Sequence, residues 1–293
     1  MGGENRGLAV WWNGRLIGSA EAVFLPTERG LLYGDGLFET LAVADGRALE
    51  PERHFARLTA SARTLGLPVP HAGLLARGLA ECLAAAGPAA VLLRLTLSRG
   101  PGARGYAPAS DDGPAQILVA AFAGRSDAAA RARDGVSGTI VAGLAPGDLG
   151  RHKTLSALGY VAAALRARSA GYAEAVLVDD AGRVLETAGS NVFAVVAGRA
   201  ITPPVSLPLL PGIGRARALA SLGPEAGGER AFVAAELARA DEAFLTNAVE
   251  GVVSLVSLDG IAIANGQPGP VTRALQEKHA RWRAAAGQGG FQV

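Results

Sequence analysis

The chain has 293 residues, 49% of them hydrophobic and 18% charged, with a formal net charge of +2. That length suits one large domain or two medium ones, and the hydrophobic content excludes a disordered chain. No apolar run reaches the roughly 18–20 residues of a membrane span. Scattered basic residues and 5% aromatics argue against nucleic-acid binding. A single cysteine, Cys82, excludes an intrachain disulfide framework and a cysteine-based zinc site. The N-terminal MGGENRGLAVWW lacks a basic-then-apolar signal architecture, so a reducing cytoplasm is the expected compartment.

In chain order, AVWWNGRLI predicts a hairpin turning at Asn13-Gly14, and FETLAVADGRALE another at Asp45-Gly46. PERHFARLTASARTLGL has helical spacing and opens on Pro51; HAGLLARGLAECLAAAG predicts a second helix ended by Gly87-Pro88. AVLLRLTLSRG and AQILVAAFAG read as strands around a Gly/Pro-rich loop, Arg99 to Pro114. The polar, alanine-rich run 125–134 reads as a connector between a first domain, 1–124, and a second, 135–293. The second half predicts a strand at GTIVAGL and a helix at LSALGYVAAALRARSAG, directly after Lys153. Hairpins follow at EAVLVDDAGRVLETA and NVFAVVAGRAITPP. A Pro/Gly turn then feeds a helix in LPGIGRARALASLG, and late strands fall in AFLTNA and GVVSLVSLDGIAIA. Separate hairpins and helices point to an α+β fold. The last dozen residues, with Gly287, Gly289 and Gly290, read as loosely ordered.

Among 28 basic residues only Lys153 and Lys278 are lysines; the other 26 are arginines. Arginine stays protonated, whereas lysine can lose its proton and attack a carbonyl. Lys278, in the polar stretch LQEKHARWRAAA, reads as a surface residue. Gly100, Gly102 and Gly105 match G-x-G-x-x-G, but Pro108 argues against the helix that a dinucleotide fold needs next. No P-loop pattern occurs. LPGIGRARALA is either an anion-binding helix N-terminus or an ordinary proline-glycine turn, and Arg57 either a phosphate fork or a solvated arginine. A lysine amine, the carboxylate of Glu186 and a phosphate cradle together suit pyridoxal phosphate. The lysine holds the aldehyde, and the carboxylate keeps the pyridine nitrogen protonated so that the ring accepts electrons.

YGDGLFET (Tyr33 to Thr40), HFARL ending at Leu58, RHKTLSALGY, ETAGSNVF, LPGIGRARAL and DEAFLTNAVEGV together resemble the fold-type IV (class IV) pyridoxal-phosphate enzymes. That group comprises branched-chain aminotransferases, D-amino-acid aminotransferases and 4-amino-4-deoxychorismate lyases. The resemblance implies a two-domain α+β fold, an N-terminal α/β sandwich and a C-terminal pseudo-barrel with pyridoxal 5'-phosphate between them. It also implies a homodimer, with no metal and no membrane or nucleic-acid partner. Lys153 matches the Schiff-base lysine, Glu186 the acid at the pyridine nitrogen, and Arg57 the phosphate-binding arginine. Ile213 and Gly214 match the amides that hold the phosphate, and Asn247 and Ala248 the second phosphate-side turn. Ser190 and Asn191 follow the pyridine-binding acid.

Within the group, three places resemble the lyase. Phe38-Glu39-Thr40 places Thr40 where a threonine is proposed to assist proton transfer. In Arg104-Gly105-Tyr106 the arginine suits a substrate carboxylate, with Tyr33 and Tyr106 as further substrate-binding positions. Thr246-Asn247-Ala248 matches an asparagine-containing turn. Ser156, where asparagine is common, and Val249-Glu250-Gly251 depart from the pattern. The expected reaction is a lyase cleavage of 4-amino-4-deoxychorismate to 4-aminobenzoate and pyruvate, in folate biosynthesis. Lys153 would take the C4 proton and Thr40 or Lys153 would protonate the leaving group. The alternative is a class IV aminotransferase acting on D-amino acids or branched-chain amino acids with the same Lys153, Glu186 and Arg57.

Overall fold

The computed structural model describes residues 8–18, 21, 24–109 and 113–288. Residues 1–7, and Gly289 and Gly290 of the glycine-rich end, lie outside them. The chain divides into two compact units: Met1–Arg125 with His152–Ser156 and Arg283–Val293, and Ser126–Arg151 with Ala157–Trp282. The segment carrying Lys153 therefore belongs to the first unit.

The first unit is built on a six-stranded antiparallel sheet of β1 (Ala9–Trp12), β2 (Arg15–Ile17), β3 (Gly36–Ala44), β4 (Arg47–Ala48), β5 (Leu92–Ser98) and β6 (Gln116–Phe122). The order is β2-β1-β6-β5-β3-β4. Both hairpins form where asparagine or aspartate precedes glycine, because Asn13 and Asp45 adopt φ of 47° and 48° and each following glycine is also left-handed. A short helix α1 (Arg29–Tyr33) precedes β3. Helices α2 (Pro51–Thr64) and α3 (Ala72–Ala86) pack on the sheet. Leu37 and Leu41 of β3 join Leu93, Leu95 and Leu97 of β5, Leu58 of α2 and Leu75 of α3 in one buried cluster. Each such leucine contributes roughly 1.5–3 kcal/mol. Strand alternation leaves Phe38 and Thr40 half-buried on the opposite face, and Thr40 pairs with Arg94 across the sheet.

The second unit opens with α4 (Ala128–Asp134) inside the run expected to be a connector. Its sheet contains β7 (Val136–Val141), β8 (Glu174–Val178), β9 (Val184–Thr187), β10 (Asn191–Val196), β11 (Arg199–Thr202), β12 (Gly227–Glu229), β13 (Glu242–Asn247), β14 (Gly251–Leu258) and β15 (Ile261–Ala262). Six strands close a ring, β10-β13-β14-β7-β8-β9 and back to β10, where Glu186 of β9 pairs with Asn191 of β10. Val176, Val184, Val192, Leu245 and Val253 belong to the cluster shared by these strands. The sheet is mixed: β7 runs parallel to both β8 and β14. The crossover from β7 to β8 carries α5 (Leu158–Ser169), which buries Ala163 and Ala167. Helix α6 (Ile213–Ala226) is interrupted at Gly223, and a short α7 (Ala234–Ala238) follows.

Two expectations need correction. The helix after Lys153 begins only at Leu158, because residues 153–155 are tied to the start of β3. Phe38 N–H donates to the Lys153 carbonyl at 2.8 Å and Leu155 N–H to the Gly36 carbonyl at 2.9 Å. Of the last dozen residues, 282–288 are helical rather than loose and the rest lie outside the described residues: α8 runs Pro270–Gln288, with the N–H groups of Val271 and Thr272 capped by the buried Glu242 carboxylate. Lys278 is exposed and donates to the Ser221 carbonyl at 2.8 Å.

Candidate active site

Six of the expected residues belong to the first unit: Lys153, Thr40, Arg57, Tyr33, Arg104 and Tyr106. The Lys153 amine lies 4.5 Å from the centre of the Phe38 ring, and the Arg94 guanidinium lies 3.8 Å from the same centre. Desolvation by burial pushes the Arg94 pKa down. Arg57 is gripped by Glu39. Nε donates to Oε1 at 2.8 Å and Nη2 to Oε2 at 2.6 Å, while His54 Nδ1 meets Oε2 at 2.7 Å. Burial alone would raise the Glu39 pKa, but hydrogen bonds from Arg57 and His54 outweigh it and hold the carboxyl below its ordinary value. The adjacent His152 ring meets the Ser61 hydroxyl at 3.0 Å. Ser156 Oγ donates to the carbonyls of Tyr33 and Gly34. Tyr33 packs edge-on against Tyr106 at 5.6 Å and accepts from the Gly105 N–H. Arg104 and Tyr106 are exposed.

The other seven, Glu186, Ser190, Asn191, Ile213, Gly214, Asn247 and Ala248, belong to the second unit. Glu186 is 4% exposed; it accepts from the Tyr160 hydroxyl at 2.6 Å, the Leu210 N–H at 3.1 Å and Asn191 Nδ2 at 3.5 Å. Burial and the Glu186 charge together push the Tyr160 phenol well above its ordinary pKa, so it remains a donor. Asn247 builds its own turn: Oδ1 accepts from the N–H groups of Val249 and Glu250, and Nδ2 donates to Ser190 Oγ and Glu250. Arg131 locks that turn by pairing with both Glu250 and Glu174 at 2.6 Å. Helix α6 starts at Ile213 with no side-chain cap on its first turn. A Cβ on Gly214 would fall 2.9 Å from the Asn247 carbonyl oxygen, so the two turns abut.

Each unit by itself offers groups whose chemistry suits part of a phosphorylated pyridine aldehyde. The uncapped helix N-terminus suits a phosphate, Glu186 is an acceptor suited to a ring N–H, Arg57 is a preset cation, and Lys153 supplies an amine. The Thr246 hydroxyl, buried beside Asn247 in the chain, has no hydrogen-bond partner among the described residues. Also among them, no group of three or more His, Cys, Asp or Glu side chains could hold a metal ion, and no helix is long and apolar enough to cross a membrane.

Sequence reasoning missed Glu39, His54, Tyr160 and Arg94. Glu39 alternates with Leu37 and Leu41, which marks it as facing the core, and Arg94 is the only charge in LLRLTLS. His54 and Tyr160 lie inside recognised motifs, but nothing local distinguishes them.

The family described as class IV amino-transferase matches residues 36–258. The chain belongs to this family and is an enzyme of its pyridoxal-phosphate-dependent class. It is 30% identical over 275 residues to the D-alanine aminotransferase of Bacillus licheniformis, covering 92% of this chain and 95% of that protein. The branched-chain aminotransferase of Thermoproteus uzoniensis, solved with norvaline, matches with TM-score 0.83 and 27% identity over 96% of each chain. The 4-amino-4-deoxychorismate lyase of Pseudomonas aeruginosa matches with TM-score 0.78 and 31% identity, over 93% of this chain and 98% of that one. Branched-chain enzymes recur among the further relatives.

Proposed function

We propose that this enzyme is an aminotransferase that moves an amino group between a D- or branched-chain amino acid and a 2-oxo acid. The observation that carries this reading is the pairing of Lys153 and Arg94 over one aromatic ring, Phe38. Both groups meet the same ring: Arg94 is a cation suited to a substrate carboxylate, and Lys153 is the amine proposed to move the proton. Bound pyridoxal phosphate supplies the electron sink for the carbanion left when the substrate loses its α-proton.

In this reading Lys153 would hold the cofactor aldehyde and, once displaced by the incoming substrate amine, its Nζ would be free to take the α-proton and carry it. Arg94 orients the carboxylate. Arg57, fixed by Glu39, and the N–H groups at Ile213, Gly214, Asn247 and Ala248 hold the phosphate. Glu186, supported by Tyr160 and Leu210, accepts from the pyridine N–H. Ser190 and Asn191 brace that carboxylate and the Asn247 turn. On the outer side of α5, Leu158, Val161 and Leu165 form an exposed apolar stripe at helical spacing, which supports a homodimer.

A lyase is the second reading, supported by the 31% identity to the Pseudomonas aeruginosa lyase and by Thr40, which shares the Phe38 face of β3 as a proton donor to a leaving group. One assay separates the two. The purified, cofactor-loaded protein is given D-alanine or L-leucine with 2-oxoglutarate, and separately 4-amino-4-deoxychorismate. Oxo-acid formation abolished by Lys153→Ala is expected. Release of 4-aminobenzoate without any transamination would replace the first reading with the second.

A further inference from the structure

Arg29 is a buried cation with no role in the chemistry above. It is 1% exposed, and its Nη donors are spent on backbone. Nη1 donates to the carbonyls of Ala103 at 3.3 Å and Gly105 at 2.8 Å, and Nη2 to the carbonyl of Tyr106 at 2.7 Å. Nε donates to Asp35 at 2.9 Å, and the guanidinium lies 5.0 Å from the centre of the Tyr33 ring. Asp35 also accepts from Arg99 Nε at 2.8 Å. Burial opposes ionisation of Asp35, but hydrogen bonds from Arg99 and Arg29 outweigh it and keep the carboxyl below its ordinary value. The Arg29 N–H donates to the Gly100 carbonyl and Gly102 N–H to the Thr27 carbonyl, so the same segment clips the root of the loop.

A guanidinium is costly to bury, and here it holds three carbonyls of a loop whose side chains face solvent. Tyr106 is 89% exposed, so the side chain contributes little to the core. A Gly/Pro-rich loop of this kind would otherwise sample many conformers, and binding would carry the cost of ordering it. We propose that Arg29 is the positioning residue of the 101–108 loop: it presets Arg104 and Tyr106 before substrate arrives. This rests on the reading of Arg104 and Tyr106 as substrate-binding residues. Because Arg29 acts through the loop, it governs substrate affinity and not the proton-transfer rate.

The test compares cofactor-loaded wild type with Arg29→Gln and Arg29→Lys. Trypsin should cut Arg104–Gly105 about tenfold faster in Arg29→Gln, since several charge-assisted bonds are lost. KM should rise about tenfold with kcat within about twofold, and the absorbance of the bound cofactor should not move. Arg29→Lys, which keeps the charge but not the fork, should fall between. A folded Arg29→Gln protein with wild-type cleavage and KM would overturn the proposal, as would a fall in kcat at constant KM. Should neither variant fold, amide exchange on the wild type decides: slow exchange across 103–107, and not only at Gly105 whose N–H the Tyr33 hydroxyl accepts, supports the clamp, and free exchange across that stretch overturns it. Cleavage and exchange do not depend on which reaction is catalysed. If the enzyme proves to be a lyase, KM is read for 4-amino-4-deoxychorismate, and the clamp stands or falls separately.

Discussion

Glu39 holds Arg57 through Nε and Nη2 along one edge of its guanidinium, at 2.8 and 2.6 Å, with the carboxylate 1% and the arginine 13% exposed. The fork comes from β3 and its cation from α2, so sheet and helix jointly aim the charge proposed for the phosphate. Glu39→Gln keeps the volume and removes the charge. It should cost about 2–3 kcal/mol of stability and weaken pyridoxal phosphate binding several-fold. Urea unfolding and cofactor titration of the apoprotein read the two effects. An unchanged cofactor affinity would show that Arg57 needs no such support.

His54 makes the same cluster pH-sensitive. Burial lowers its pKa below 6.5, Glu39 opposes that, and Arg57 and Lys153 lower it again. Between the folded pKa and 6.5 the unfolded chain binds more protons than the native one, so stability rises with pH there and is lost on acidification. The Glu39 contribution is present above its unfolded value of 4.5 and is lost as pH falls through its lower folded pKa. The melting temperature should therefore decline in two stages as pH drops from 7. His54→Gln should remove only the upper stage; parallel curves for variant and wild type would contradict this linkage.

Gly214 permits the close approach of α6 to the Asn247 turn. An alanine Cβ there would meet backbone, 2.9 Å from the Asn247 carbonyl oxygen and 3.0 Å from its carbonyl carbon, so one of the two turns must shift. Gly214→Ala should cost about 1–3 kcal/mol and loosen cofactor binding about tenfold through misaligned N–H donors. Thermal melts and cofactor titration check both numbers. Wild-type affinity in a folded variant would remove these turns from the phosphate site.

Local chemistry was legible wherever it acts over a few residues. The turns at Asn13-Gly14 and Asp45-Gly46, the helices opening at Pro51 and ending near Gly87, and the Pro/Gly entry to α6 all follow from backbone preferences of the residues themselves. Helix α8 was not legible, because its long, mainly polar sequence becomes an amphipathic helix only when Leu275 has a sheet to cover. The parallel neighbours of β7 were hidden for another reason: β14 lies more than a hundred residues away, and hairpin signals report only adjacent strands.

By itself, the sequence determined the family, through six spaced motifs, and singled out the amine proposed to react, because Lys153 is the only lysine before Lys278. Tertiary structure decided the company each residue keeps. Arg57 and His54 meet at Glu39, Tyr160 and Leu210 meet at Glu186, and Arg94 shares the Phe38 ring with Lys153. Most of these meetings depend on strand register and helix packing across tens of residues. Charge, polarity and spacing along the chain carry no record of register, so only the folded chain could reveal them.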